Sequence, residues 1–207
     1  MTRPFIIAML LTMAPGPAAG AEEDYVQLRN EMAEEIKNMA MDTRDYMGNG
    51  NLDSRVIAVM QKVPRHEFVP EAYRQHAYRN RALPIGNEQT ISQPYIVALM
   101  TDLANVDQDS IVLEVGTGSG YQAAVLAELV KHVYSIEIIE ALGKTARETL
   151  ERLGYDNITL QIGDGYHGWP EHAPFDAILV TAAPEEVPEP LIEQLKPGGR
   201  IVIPVGP

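Results

Sequence analysis

From residue 22 to about residue 47 the apolar side chains recur at Tyr25, Leu28, Met32, Ile36 and Met39, in steps of three and four. Glu31, Glu34, Glu35 and Lys37 fall on the other side, so the stretch is predicted to form an amphipathic helix. The run "GNGN" at 48–51 ends it, and Asp53 or Ser54 can cap a second helix that runs toward Pro64. Residues 64–95 are rich in Pro, Arg and aromatics without a clean period, which predicts a loop-rich region of the kind that often carries function. A further helix is predicted from about Pro94. From Ser110 the period changes. Short apolar runs at 111–115, 133–138, 158–162, 175–181 and 200–204 read as strands, with helical segments near 121–130, 139–152 and 188–195. Strands alternating with helices predict an α/β domain built on a doubly wound, mostly parallel sheet covered on both faces. In such sheets ligands lie outside the carboxyl ends of the strands.

The first residues follow another pattern. "MTRPFIIAMLLTMAPGPAAGA" holds one charge at Arg3, an apolar run from Phe5 to Met13, and a small-x-small site at Ala19–Ala21. That is the layout of a signal peptide at 1–21, and its apolar run is too short for a permanent span. The expected location is therefore periplasmic or secreted, or cytoplasmic if the signal is not used. The expected organisation is 1–21 signal peptide, 22–51 helix and break, and 52–207 the α/β domain.

Composition narrows the chemistry. The 207 residues are enough for one such domain. A net charge of −13 argues against nucleic acid or an anionic membrane surface as the main partner. No cysteine is present, which excludes thiolate catalysis and cysteine-rich zinc sites. The histidines at 66, 76, 132, 167 and 172 lack ligand spacing, so no metal is expected.

The candidate chemistry sits at the predicted strand ends. The first strand turns through "GTGSG", where Gly116, Gly118 and Gly120 permit positive φ and close backbone approach to a ligand. A dinucleotide fingerprint would need its third glycine at the position of Tyr121, and no Walker-type Lys-Ser/Thr follows. Glu137, near the end of the second strand, is placed to accept from both hydroxyls of a ribose, although a solvated carboxylate opening the next helix would look the same. Asp164, after the third strand, can accept from an exocyclic amine such as that of adenine, or simply make an Asp-Gly turn. Together the three describe a nucleoside pocket.

"LEVGTGSGY", "SIE", "GDGYHGWPEHAPFDAILVTAAP" and "LKPGGRIVIPVG" resemble the successive motifs of class I S-adenosylmethionine-dependent methyltransferases, a Rossmann-like fold. "VPRHEFVPEAY" and "ALPIGNEQTISQPYIVALMTDL" are similar to the protein-L-isoaspartate O-methyltransferase family, over about residues 52–206. The resemblance implies methyl transfer from S-adenosyl-L-methionine to the α-carboxylate of isoaspartyl residues in proteins and peptides, as a repair step. It gives Ser92 the active-site role, with a helix N-cap as the alternative use of that hydroxyl. It places Glu114 by the methionyl amino group, Gly116, Gly118 and Gly120 along methionine and ribose, Glu137 on the ribose, and Asp164 with Gly165 at adenine. Thr181, Ala182 and Ala183 fall where the family's substrate backbone lies. The reaction implied needs no strong general base, because a carboxylate is already ionised at neutral pH.

Several expectations accompany that reading. A monomer is expected, with no stable membrane span. The family continues beyond the fifth strand with two more, one antiparallel, so an uncovered sheet edge is expected at "IVIPVGP". The alternatives are a methyltransferase for another carboxylate or small molecule, and a non-catalytic adaptor for isoaspartyl protein or cofactor; a nicotinamide oxidoreductase is remoter. Asn49-Gly50, with no side chain to hinder succinimide closure, is a candidate deamidation site.

Overall fold

The computed structural model describes residues 19–47, 50–182 and 186–204. Most of the predicted signal peptide, Asn49 and Ala183 lie outside the described residues. The predicted amphipathic helix is α1, Ala19–Asp42, followed by a short α2, Arg44–Met47. Met32, Ala33, Ile36 and Ala40 form its buried stripe, which is why the three-and-four spacing was legible. Helix α3 spans Ser54–Lys62 and is capped by Asp53, whose carboxylate accepts from the Arg55 backbone N–H at 2.8 Å. It packs with α1 and with α4, Pro94–Ala104, in a helical layer flanking the sheet.

Between α3 and α4 the loop-rich expectation is corrected in part. Two short 3₁₀ turns at Arg65–Phe68 and Glu71–His76 lead into a hairpin of β1, Leu83–Gly86, and β2, Gln89–Ile91. Its turn residues Asn87 and Glu88 both have positive φ, 51° and 60°, as a type I′ turn demands. Glu is an unusual occupant there, so no Asn-Gly signal marked the hairpin.

The main sheet holds β3, Ile111–Val115, β4, His132–Glu137, β5, Ile158–Ile162, β6, Phe175–Val180, and β7, Leu195–Val202. All neighbours are parallel and the spatial order is β5-β4-β3-β6-β7. Helices α5, Tyr121–Ala127, α6, Glu140–Arg152, and α7, Glu189–Glu193, connect them. Strand β7 begins at Leu195 rather than near residue 200: its register against β6 shifts between Phe175 and Ala177, which absorbs the "KPGG" that reads as a turn. It forms one edge of the sheet. Both faces are covered. Along β3, Val112 packs with Ala123 and Leu126 while its neighbour Leu113 packs with Ile136, Ile178 and Leu191. From β3 the chain crosses first to β4 on one side and later to β6 on the other, so the order in which strands are added reverses at β3. That switch point opens a crevice at the carboxyl ends.

Candidate active site

The three turn glycines prove to have different jobs. All have positive φ: 99° at Gly116, 55° at Gly118 and 88° at Gly120. A Cβ on Gly116 would stand 2.5 Å from Thr181 Oγ1, and one on Gly120 would press on Leu150 and Ala146 of α6 at 3.3 to 3.4 Å. Those two let β6 and α6 close against the turn. At Gly118 a Cβ would meet only Ile85 of the hairpin, at an ordinary 3.6 Å. Gly118 is the glycine that leaves backbone open to a ligand.

Strand ends are laced together around this turn. Glu137, buried at the end of β4, accepts from the Gly118 N–H at 2.7 Å through Oε2 and from the Ile139 N–H at 2.8 Å through Oε1. A carboxylate has about four acceptor positions, so it can still receive two hydroxyls. The Thr181 hydroxyl, at the end of β6, lies within hydrogen-bonding reach of the Val115 and Gly116 carbonyl oxygens. Asp164 caps the turn after β5, its Oδ1 accepting from the Tyr166 N–H at 2.9 Å. A Cβ on Gly165 would collide with Val115, so only glycine lets that turn close on β3.

Ser92 precedes α4 without capping it. The N-cap is Gln93, with Pro94 in the first turn and no side-chain cap bond, which leaves the Ser92 hydroxyl free of that role. The alternative N-cap use of Ser92 therefore falls away. Its carbonyl accepts from Arg65 Nη2 at 2.7 Å.

These elements enclose one cavity of about 340 Å³, within the range of small-molecule sites. It brings together Ser92, Gly116, Gly118, Glu137, Asp164, Gly165, Thr181 and Ala182. Glu114 and Gly120 are not in its wall. Glu114 is fully buried on β3, where Ser135 Oγ donates to its Oε2 and its Oε1 has no hydrogen-bond partner among the described residues. Burial is the main cause that pushes its pKa up to about 8, with the nearby Glu137 charge adding to it and the Ser135 bond opposing. Burial thus favours the protonated form of Glu114.

Other lining residues were not foreseen. Gln89, Thr90 and Ile91 of β2 form a wall because the hairpin folds over the turn, and no periodic signal marks it. Gln122, in the first turn of α5, lines the cavity with its amide N–H donating to Thr101 Oγ1 at 2.9 Å. Ile138 and Tyr166 stand at the rim, 67% and 55% exposed; large exposed apolar groups beside an acidic pair suit a flat heterocycle. Among the described residues no Lys, Arg or His lines the cavity and no metal-ligand cluster occurs. Among them, too, no helix is long and apolar enough to cross a membrane. His66 is buried, stacked on Tyr25 at 3.8 Å, and Trp169 packs edge-on against Tyr134 at 5.4 Å.

The donor set fits an S-adenosyl nucleoside. A buried acid with spare acceptor positions at the end of β4, a positive-φ glycine whose Cβ position meets only Ile85, and a second acid after β5 surround a largely apolar hollow. Likeness to known proteins agrees with that geometry. A family model described as protein-L-isoaspartate(D-aspartate) O-methyltransferase matches residues 37–207. A protein-L-isoaspartate O-methyltransferase of Syntrophobacter fumaroxidans is 62% identical over 206 residues, which are 99% of this chain and 83% of that protein. One from Polaromonas is 66% identical over 175 residues, 84% of this chain and 83% of the relative. A solved protein-L-isoaspartate O-methyltransferase superposes with a TM-score of 0.75 at 32% identity, over 86% of this chain and 55% of its own. A Plasmodium falciparum structure, titled a putative protein-L-isoaspartate O-methyltransferase in complex with S-adenosyl-L-homocysteine, gives 0.72 at 26% identity, over 86% and 84%.

Proposed function

The chain belongs to the protein-L-isoaspartate(D-aspartate) O-methyltransferase family, and we propose how its cavity divides the work of that family's reaction. The enzyme uses S-adenosylmethionine to methylate isoaspartyl residues in protein repair. In the proposed division, Glu137 takes the ribose hydroxyls, Asp164 and Gly165 the adenine, and Gly116 and Gly118 lie along the methionyl chain. Ser92 and Thr181, with Ala182 and Ala183, receive the isoaspartyl segment. The observation that carries this division is that Ser92, Glu137 and Thr181, from three separate elements, line one cavity at the sheet's switch point.

S-adenosylmethionine supplies, when bound, an electrophilic methyl carbon on a sulfonium. What the protein must add is alignment. The substrate carboxylate is ionised at neutral pH, so no residue has to remove a proton from it. Ser92 Oγ can donate to one carboxylate oxygen and so point the other at the methyl carbon. β2 and the glycine turn both form parts of the cavity wall in which the two reactants would be held in line. Glu114 is not part of the cavity wall, and its burial favours the uncharged form.

The test of this division is a Ser92→Ala variant. S-adenosylhomocysteine should bind it as it binds the parent, while kcat/KM for an isoaspartyl peptide falls by roughly tenfold or more. Unchanged turnover would remove Ser92 from the site. We also propose export, on the charged, apolar and small-residue layout of residues 1–21. Amino-terminal sequencing of the protein from fractionated cells tests it: a mature chain starting at Glu22 outside the cytoplasm supports export, and a retained leader in the cytoplasm ends it.

A further inference from the structure

Arg65 is completely buried, and among the described residues no carboxylate pairs with it. Burying a guanidinium without a counter-charge is expensive. Burial lowers its pKa to about 10, which still leaves it charged at neutral pH. Among the described residues it meets two carbonyl oxygens and the ring of Tyr121. Nε donates to Ala77 at 2.8 Å, Nη2 donates to Ser92 at 2.7 Å, and the guanidinium carbon stands 4.7 Å from the centre of the Tyr121 ring. Tyr121 is the residue that follows the last glycine of the turn. Arg65 thus ties the Ser92 backbone to the start of α5 and to the segment between the 3₁₀ turns and the hairpin.

The residues beside Ser92 are fixed by the fold: Ile91 pairs with Leu83 in the hairpin, and the Gln93 carbonyl accepts from the Val97 N–H at 3.1 Å. Arg65 supplies the hydrogen bond to Ser92 itself. Ser92 makes no cap bond to α4. We propose that Arg65 is a positioning residue for methyl transfer, holding the Ser92 main chain so that its hydroxyl faces the substrate carboxylate. A planar fork with several fixed donors suits this task; a lysine ammonium would reach one carbonyl at a time. The proposal rests on the role given to Ser92 above.

The experiment compares the parent, Arg65→Lys, Ser92→Ala and the double variant in the intact protein. It reads kcat and KM for an isoaspartyl peptide and the affinity for S-adenosylhomocysteine. Arg65→Lys is expected to lower peptide kcat/KM about tenfold while S-adenosylhomocysteine affinity stays within about twofold. Added to Ser92→Ala it should cost less than about a further twofold, since both act through one hydroxyl. Turnover of Arg65→Lys near the parent's overturns the proposal, as do equal losses in both ligands or multiplying losses in the double variant. If Ser92→Ala alone turns over normally, the reading of Ser92 fails, and the proposal with it. Should Arg65→Lys not fold, Arg65→Gln takes its place, and loss of fold in both assigns Arg65 a purely structural role.

Discussion

The Gly118 backbone N–H donates to Glu137 Oε2 at 2.7 Å, so the glycine turn after β3 and the end of β4 form one rigid unit. A hydrogen bond to a carboxylate is worth about 1.5–3 kcal/mol, enough to preset the turn before any ligand arrives. The same carboxylate is the proposed ribose acceptor, which couples turn geometry to cofactor affinity.

Glu137→Gln should therefore act twice. The amide keeps one acceptor oxygen and turns an NH₂ toward either Gly118 or Ile139, whose N–H groups both need acceptors. S-adenosylhomocysteine affinity, measured by calorimetry, should fall by about 10- to 100-fold, in line with the loss of a charged acceptor.

The glycines should not be equivalent. Gly116→Ala sets a Cβ 2.5 Å from Thr181 Oγ1 at φ 99° and should destabilise most, by about 3 kcal/mol. Gly120→Ala meets softer neighbours at 3.3 Å and should cost about 2 kcal/mol. Gly118→Ala, at φ 55° with an ordinary contact, should cost only about 1 kcal/mol, paid mainly in strain. Denaturant unfolding of the three variants gives the order directly.

Glu114 should make stability depend on pH. Its folded pKa of about 8 lies above the ordinary value of 4.5. Between those values the folded state holds a proton that the unfolded chain has released, so stability contributed by this group is fully present below about pH 4.5 and declines until about pH 8. Glu114→Gln should flatten that decline, by a few kcal/mol in total. Thermal unfolding of both proteins from pH 5 to pH 9 checks it: parallel curves would show that Glu114 ionises normally in the fold.

Thr181 joins the end of β6 to the glycine turn through its hydroxyl. Thr181→Val should lose about 1–2 kcal/mol of stability and lower peptide turnover, with Thr181→Ser close to the parent. Equal behaviour of the Val and Ser variants would remove the hydroxyl from the account.

Much of the fold was readable because its periods are clean. β3 runs from 111 to 115 as expected, since alternate residues there enter two different cores. α1 showed itself through one buried stripe. The hairpin of β1 and β2 did not, because Asn87 and Glu88 carry the positive φ that glycine usually signals. The start of β7 was hidden by Pro197, Gly198 and Gly199, which read as a turn but lie in a strand with a bulged register. In the site, Glu137 and Asp164 were legible through their chemistry at strand ends and Thr181 through the family resemblance, and all three line the cavity. Gly120 belongs to the same motif, yet it serves helix packing. Arg65 lies in the stretch "VPRHEFVPEAY" that carries the family resemblance, but nothing in the local pattern marks its burial, which is set by tertiary packing.

The central claim is that this cavity delivers a methyl group to an isoaspartyl carboxylate. Two peptides of identical sequence, one with an isoaspartyl residue and one with an ordinary aspartyl residue, incubated with the protein and methyl-labelled S-adenosylmethionine, test it most directly. The account predicts label on the isoaspartyl peptide alone. Label on neither peptide, or on both alike, contradicts it.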